Sequence, residues 1–518
     1  MTAASDKSPA MPLATLRSAT ANIPQRVNAA GERLRRNGER ALASLFRPAV
    51  TPASLVIVTI LAAFFGLFFW HWFLAGPLAL DFEDWPKERA YLDLLRTALV
   101  ERTIPLHMDA SLQMTQRFLA IPETMLAPHI LFLPWLSNAQ FIQFQVSLLF
   151  LAGLAGCTAL AWRQRWSPFA LLAFLAVFSI NGFIVTRIGI GHFMWTGYYL
   201  YPWMLLVTLR WLDAPESVRT RLAVGWTIGA LFLVGSFHLA VWWLIFLAVL
   251  TLAQPQRLLW GFGTVALISG ALTAFRILPA ALTFGSVERK FGSGFPNLEV
   301  LWRGFATASG YDTSPIPIPN GSLGWWEFDH FVGAGVLLAV VGLAFWPKVL
   351  TTSTNPSVPQ LPRGLLLTGV GIITALALSQ VYAPIASLPF PLLNAERWSM
   401  RFISVAFFVL LFLAAERVSR DGLHWPVWVQ VFVLLFLGHC VYELWQHAQL
   451  WRPLTLEAGH GPSSYWENSA TFTAHPINFP RERAYKVAVA ASWAVSLGAL
   501  AASFVWWRHS SRSVPVDS

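Results

Sequence analysis

Residues 53–76 read ASLVIVTILAAFFGLFFWHWFLAG, with His71 the only titratable side chain in the run. About twenty consecutive apolar residues carry a helix across the hydrocarbon core of a bilayer. Further runs follow at 138–161, 168–186, 195–209, 222–236, 239–253, 258–276, 331–345, 364–380, 402–415, 425–442 and 487–507. They predict an all-α polytopic membrane protein with about twelve transmembrane helices. Composition agrees: of 518 residues, 56% are hydrophobic and 12% charged, where an ordinary soluble domain has about a quarter charged. Mean hydropathy is +0.54. A water-soluble enzyme, a disordered tail and a nucleic-acid partner are all excluded.

Orientation follows from the basic residues, which accumulate on the cytoplasmic side. With the N-terminus inside, the short inner segments hold 20 of the 36 Lys and Arg and 8 of the 26 Asp and Glu. Both termini are therefore expected to be cytoplasmic, with the active face outside. The first span is too long for a cleaved signal segment and reads as an anchor.

The chain divides into a cytoplasmic basic arm (1–50), a transmembrane core (51–442), an outer loop (443–486) and a last helix with its tail (487–518). The core carries outer loops 77–137, 277–330 and 381–401. The arm, with Arg33, Arg35, Arg36 and Arg40, reads either as a basic amphipathic helix on anionic lipid or as a solvated topogenic arm. The solvated arm is the preferred reading. Cys157 and Cys440 both sit in apolar runs, so neither a disulfide framework nor a CxxC motif is present.

The spans hold almost no ionisable groups beyond His71 and His439, with Arg276 and Glu443 at outer helix ends. Pumps retain costly charges at the midplane, so the chemistry is expected in the outer loops. Immediately after the first span stands Asp81-Phe82-Glu83-Asp84-Trp85. Clustered carboxylates raise one another's pKa or hold a cation, and one of them suits a general base. A solvated acidic helix cap is the competing reading. A surface helix is expected over 87–102 with Tyr91, Leu94, Leu95, Ala98 and Leu99 on one face. The stretch 126–136, holding Pro128 and Pro134, is expected to be interfacial or re-entrant.

Two outer turns, Arg187 with Gly191-His192 and Gly235-Ser236-Phe237-His238, face the same side as the acids. Arg397 and Arg401 are four apart, on one face if helical, and two guanidiniums suit a phosphate; snorkelling beside Glu396 is the alternative. Arg276, close to Pro279, is a second anion-binding candidate. In Gly324-Trp325-Trp326-Glu327-Phe328-Asp329-His330, Trp326 and Glu327 suit a sugar face and its hydroxyls, against an aromatic belt. P-loop, HExxH, GxSxG and dinucleotide fingerprints are absent from the sequence.

These elements together resemble the GT-C superfamily of integral-membrane glycosyltransferases. The resemblance lies in Asp81, Glu83 and Asp84 directly after the first span, a long first outer loop, and Ile104-Pro105-Leu106 followed by Leu126-Ala127-Pro128-His129. Leu278-Pro279, the Gly324 to Gly333 segment and Glu396-Arg397-Trp398-Ser399-Met400-Arg401-Phe402 resemble the YfhO-like bacterial branch. The similarity covers about 50–415.

The resemblance implies transfer of a hexosyl or pentosyl unit from a polyprenyl-phosphate carrier to a cell-envelope glycan, lipid or protein, among membrane lipids. It implies Asp81 or Asp84 as base, Arg397 or Arg401 on the departing phosphate, and His192 assisting. No cofactor is firmly implied, although the triplet suits Mg2+ or Mn2+ through oxygen ligands. Two alternatives stand beside it. One is an O-antigen ligase or polymerase centred on His460, His475, Arg481 and Arg483. The other is a lipid or polysaccharide transporter or flippase.

Overall fold

The computed structural model describes residues 23–48, 52–75, 80, 83–109, 115–285, 292–318, 321–346, 361–388, 396–452 and 474–510. They form α1 (Ile23–Phe46), α2 (Pro52–Phe73), α3 (Trp85–Val100), α4 (Asn138–Gln164), α5 (Pro168–Ile180) and α6 (Gly182–Gly189). Next come α7 (Tyr201–Asp213), α8 (Val218–Leu233), α9 (Phe237–Ala253), α10 (Pro255–Leu272), α11 (Ala274–Phe284) and α12 (Leu298–Ala306). The last six are α13 (Ala334–Phe345), α14 (Arg363–Leu376), α15 (Ser379–Ala386), α16 (Ile403–Asp421), α17 (Val427–Trp451) and α18 (Arg483–Ser510). Two small ribbons join them: β1 (His107–Met108) pairs with β4 (Pro476–Ile477), and β2 (Ile316–Ile318) with β3 (Gly321–Leu323).

All twelve apolar runs fall on helices, but not as twelve full crossings. Among the described residues six helices are long and apolar enough to span a membrane: α2, α4, the 168–189 segment, 399–424, α17 and α18. A seventh arises if α10 and α11, bent by 76°, count as one. The runs at 195–209, 222–236, 239–253, 331–345 and 364–380 became helices of 12 to 17 residues. Turns such as the one at Gly235 cut them short. The expected outer loop from 443 also starts later, because α17 continues to Trp451.

Local sequence sets the helix starts. Ser137 and Gln140 form a reciprocal capping box on α4, and the Ser167 hydroxyl accepts from the Ala170 N–H on α5. Proline opens α2, α5 and α10, where its missing N–H has no helical partner to lose. Burial then sorts the spans. The 399–424 segment is 94% buried and 168–189 is 83% buried, so they form the centre. In contrast α17, α18 and α2 are only 17%, 22% and 28% buried. Their exposed side chains include Phe64, Phe68, Phe432 and Phe504, which suit lipid.

The two ends of the bundle are chemically distinct. At one end Arg163 pairs with Asp213, the Trp166 indole donates to Glu416, and the Ser167 N–H donates to the Ser419 hydroxyl. At the other lie the acidic loop, the Gly191 and Gly235 turns, and the segments before α13 and α16. The expected surface helix is there as α3, with Tyr91, Leu94, Leu95 and Ala98 buried. Residues Pro128–Trp135 form a 3-10 turn whose Leu131, Phe132 and Trp135 are exposed, so this stretch does not span.

Candidate functional site

Close backbone packing builds the site. Gly182, at the break between α5 and α6, receives the loop before α13: a Cβ there would stand 2.3 Å from the Phe331 nitrogen. That approach lays Glu327 beside Arg187, one turn and a half further along. Gly191 has φ +85°, and a Cβ would stand 2.4 Å from the Trp85 nitrogen. The Asp84 N–H donates to the Ile190 carbonyl at 3.1 Å. The 189–192 turn therefore rests directly on the start of α3, and His192 Nε2 lies 3.3 Å from Asp84 Oδ2.

Three ionic groupings meet here. In the first, the buried Lys87 ammonium lies 2.8 Å from Asp84, 3.4 Å from Glu123 and 3.6 Å from Glu88. In the second, Arg401 grips Glu327 with both arms, Nε to Oε2 at 2.8 Å and Nη2 to Oε1 at 2.5 Å. Arg187 adds an ion pair to Oε2 at 3.1 Å and donates to the Glu327 carbonyl at 3.1 Å. In the third, Glu396 accepts from His238 Nδ1 at 2.9 Å, from the Trp242 indole at 2.7 Å and from the Trp398 N–H at 3.1 Å.

Trp195 joins the second and third groupings. Its ring carries Arg401 at 5.0 Å and Arg187 at 5.8 Å, attractive through the ring quadrupole. It also stacks on His238 at 5.4 Å and Trp242 at 5.1 Å.

Burial and charge split the neighbouring acids. Burial, helped by Asp84 and Glu327, pushes the Glu83 carboxyl up to about 7. Burial also acts upward on Asp84, but Lys87 and then His192 outweigh it and hold Asp84 below the ordinary carboxylate value. Glu88 is pushed up to about 8 by burial in spite of Lys87. Glu327 is buried too, yet Arg187 and Arg401 hold it far below the usual range. Burial drives His192 down to about 3, so at neutral pH the imidazole is neutral. Its Nδ1 and the Trp195 indole N–H are buried and lack a hydrogen-bond partner among the described residues. Such orphans mark positions where a polar ligand atom is accommodated.

The structure thus brings together Glu83, Asp84, His192, Glu327 and Arg401 of the expected set. Asp81 lies outside the described residues, as does His460. Arg397 and Arg401 do not share a helix face, because the helical turn begins only at Ser399. Arg397 is exposed over the Trp398 ring at 5.1 Å, whereas Arg401 is buried. Glu396 is turned to His238, not to a neighbouring arginine. Arg276 is buried and donates to the carbonyls of Ile121 and Thr124, clamping the loop between α2 and α4. Both Glu327 oxygens are taken by guanidiniums, which leaves them unsuited to sugar hydroxyls. Trp326 is half-buried, its ring over Gly324.

Sequence reading missed Lys87, Glu123, Trp195, Trp242 and the pairing of His238 with Glu396. Lys87 carried a signal, since it stands i+3 from Asp84 on a helix. The other partnerships link positions more than thirty apart and have no local signature.

Away from the acids, a groove of about 480 Å3 runs between α3, the Ile104-Pro105-Leu106 segment and the start of α18, with Lys486 at its edge. A cavity of about 550 Å3 at the opposite end lies between Gln254, Trp346 and Arg363. As for a divalent cation, no group of three or more His, Cys, Asp or Glu among the described residues stands close enough to hold one. Lys87 already fills the position between Asp84, Glu123 and Glu88. Of the triplet named for Mg2+ or Mn2+, Asp81 lies outside the described residues.

No family model matches the chain, and no curated protein matches it. Among solved structures it is similar to the arabinofuranosyltransferase AftD from mycobacteria, at 16% identity and a TM-score of 0.48. The likeness covers 79% of this chain, which spans only 28% of that one.

Proposed function

We propose that this membrane protein is a glycosyltransferase that moves a sugar from a polyprenyl-phosphate carrier to an acceptor at the face carrying the acidic loop. One observation supports the reading above the others: an acid poised near neutrality, Glu83, adjoins an acid held ionised, Asp84, beside a neutral histidine and two buried arginines. Pairs of titratable groups with divergent pKa values are the usual basis of acid and base roles. Glu83 or Asp84 takes the acceptor hydroxyl proton, and Asp81 remains a candidate beside them. His192 offers its unpartnered Nδ1 to the same hydroxyl.

The departing phosphate needs positive charge. Arg401 is already paired with Glu327, so the net positive charge of the Arg187–Glu327–Arg401 group serves it together with the exposed Arg397. The apolar groove by α3 and α18 suits the isoprenoid tail. Sequence resemblance to the GT-C superfamily, and its YfhO-like branch, supports the donor class. An outward active face rests on the basic-residue count, and a bacterial inner membrane on the resemblance to that bacterial branch.

The test is transfer of labelled sugar from polyprenyl phosphate by wild-type, D81N, E83Q and D84N proteins. Loss in any one variant with retained folding supports the assignment. Full activity in all three rejects it and favours the ligase reading centred on 443–486.

A further inference from the structure

The basic arm has two readings, a solvated arm and an amphipathic helix on anionic lipid, and within it α1 is a 24-residue helix. Its sequence repeats every seven residues: Gly31-Glu32-Arg33-Leu34 and then Gly38-Glu39-Arg40-Ala41. On a helix this spacing stacks like positions nearly in line. By sequence register, at 100° per residue, Ile23, Val27, Ala30, Leu34, Ala41 and Leu45 fall on one narrow stripe. In the same register Arg26, Arg33 and Arg40 fall along one edge of that stripe, and Glu32 and Glu39 on the opposite side.

The helix is attached to the bundle by its last turn. Phe46 is fully buried, stacked on Phe169 at 4.4 Å and 6.1 Å from Trp425. Every described side chain from Glu32 to Ala41 is exposed, and Leu45 is 37% exposed. Residues 47–51 alone separate this anchor from the start of α2 at Pro52. The anchored end therefore sits at the level where α2 enters the bilayer, and Ala41 and Leu45, the stripe's described side chains, are exposed.

Charge selects the cover. The helix carries five arginines against two glutamates, a net +3. Glu32 pairs with Arg36 at 3.0 Å and Glu39 with Arg35 at 3.8 Å. Arg33 and Arg40, beside the stripe, make no ion pair among the described residues.

We propose that α1 is an interfacial helix that lies on anionic lipid headgroups next to the first span, with its apolar stripe in the acyl boundary. Arginines flanking an apolar stripe snorkel to phosphates, and glutamates opposite it stay in water. The arrangement is that of a peripheral amphipathic helix, whose binding sums apolar burial and attraction to anionic lipid.

The test uses full-length protein with both native cysteines changed to serine (C157S, C440S). Spin labels are placed at A41C, on the stripe, and at E39C, opposite it. In phosphatidylglycerol-rich nanodiscs the A41C label is expected to lose access to an aqueous relaxation agent and gain access to oxygen, while E39C stays aqueous. R33Q and R40Q are each expected to weaken the lying state about fivefold, as is a change to phosphatidylcholine discs. Equal aqueous access at both labels in the anionic discs overturns the proposal. Loss of access to both agents at A41C, which marks a protein partner or a second copy, overturns it equally.

Discussion

Arg401 and Glu327, 74 residues apart in sequence, meet in a buried two-pronged ion pair. A guanidinium and a carboxylate match in this geometry because their donors and acceptors are equally spaced. The pair fixes the segment before α13 against the start of α16, and Arg187 ties both to α6.

Breaking this group on one side strands the other charges in a buried position. E327Q is expected to destabilise the protein by about 3–5 kcal/mol, read as a lowered thermal midpoint in detergent. The double variant E327M/R401M is expected to lie nearer wild type than E327Q. A wild-type midpoint for E327Q contradicts the central role given to the pair.

Glu83 makes stability depend on pH in a defined direction. Its folded value of about 7 exceeds the ordinary 4.5, so the folded state holds the proton more tightly than the unfolded one. The stability it contributes is complete below about 4.5 and is lost as pH rises through about 7. Measured from pH 5 to pH 8, E83Q is expected to lose this decline. If Glu83 is the base, transfer activity rises over the same window, and E83Q abolishes the rise.

Glu88 offers a second titration free of any catalytic role. It too is protonated more readily in the fold, with a value near 8. E88Q is expected to gain stability relative to wild type as pH climbs from 4.5 to 8, with transfer activity unchanged at neutral pH. A pH-independent difference from wild type counts against a protonated Glu88.

Gly191 tests positioning without touching a polar side chain. G191A places a methyl against the Trp85 nitrogen at a φ that alanine resists, at a cost of about 1–3 kcal/mol. His192 is then displaced from Asp84. Activity is expected to fall, and by much less when G191A is made in an H192A background. Equal falls in both backgrounds mean that the turn acts by another route.

His238 and Glu396 act as one unit, since the carboxylate fixes the ring tautomer through Nδ1. H238Q, E396Q and the double variant are expected to show similar losses of transfer. Additive losses in the double-mutant cycle refute the coupling.

The membrane class and the helical positions were legible in sequence because hydrophobic runs report burial directly. The count of full crossings was not. A run such as 195–209 looks the same in composition whether it forms one helix or a 3-10 turn leading into α7. The acidic loop was visible as a cluster, but its pKa ordering depends on Lys87 and His192. The first stands one turn away on the same helix; the second arrives through Gly191 from more than a hundred residues later. Arg397 and Arg401 looked equivalent by spacing and proved opposite in exposure, because a helix start fell between them.

The loop after α2 is held by the segment that leads into α18. Glu482 receives Arg117 at 2.8 Å and lies 3.1 Å from His107. Tyr485 donates to the Leu106 carbonyl, and β1 pairs with β4. During synthesis these latches leave the ribosome more than 350 residues after the loop they hold. The loop bearing the acids therefore reaches its finished shape only after α18 has begun to emerge. A protein truncated before residue 474 lacks that brace.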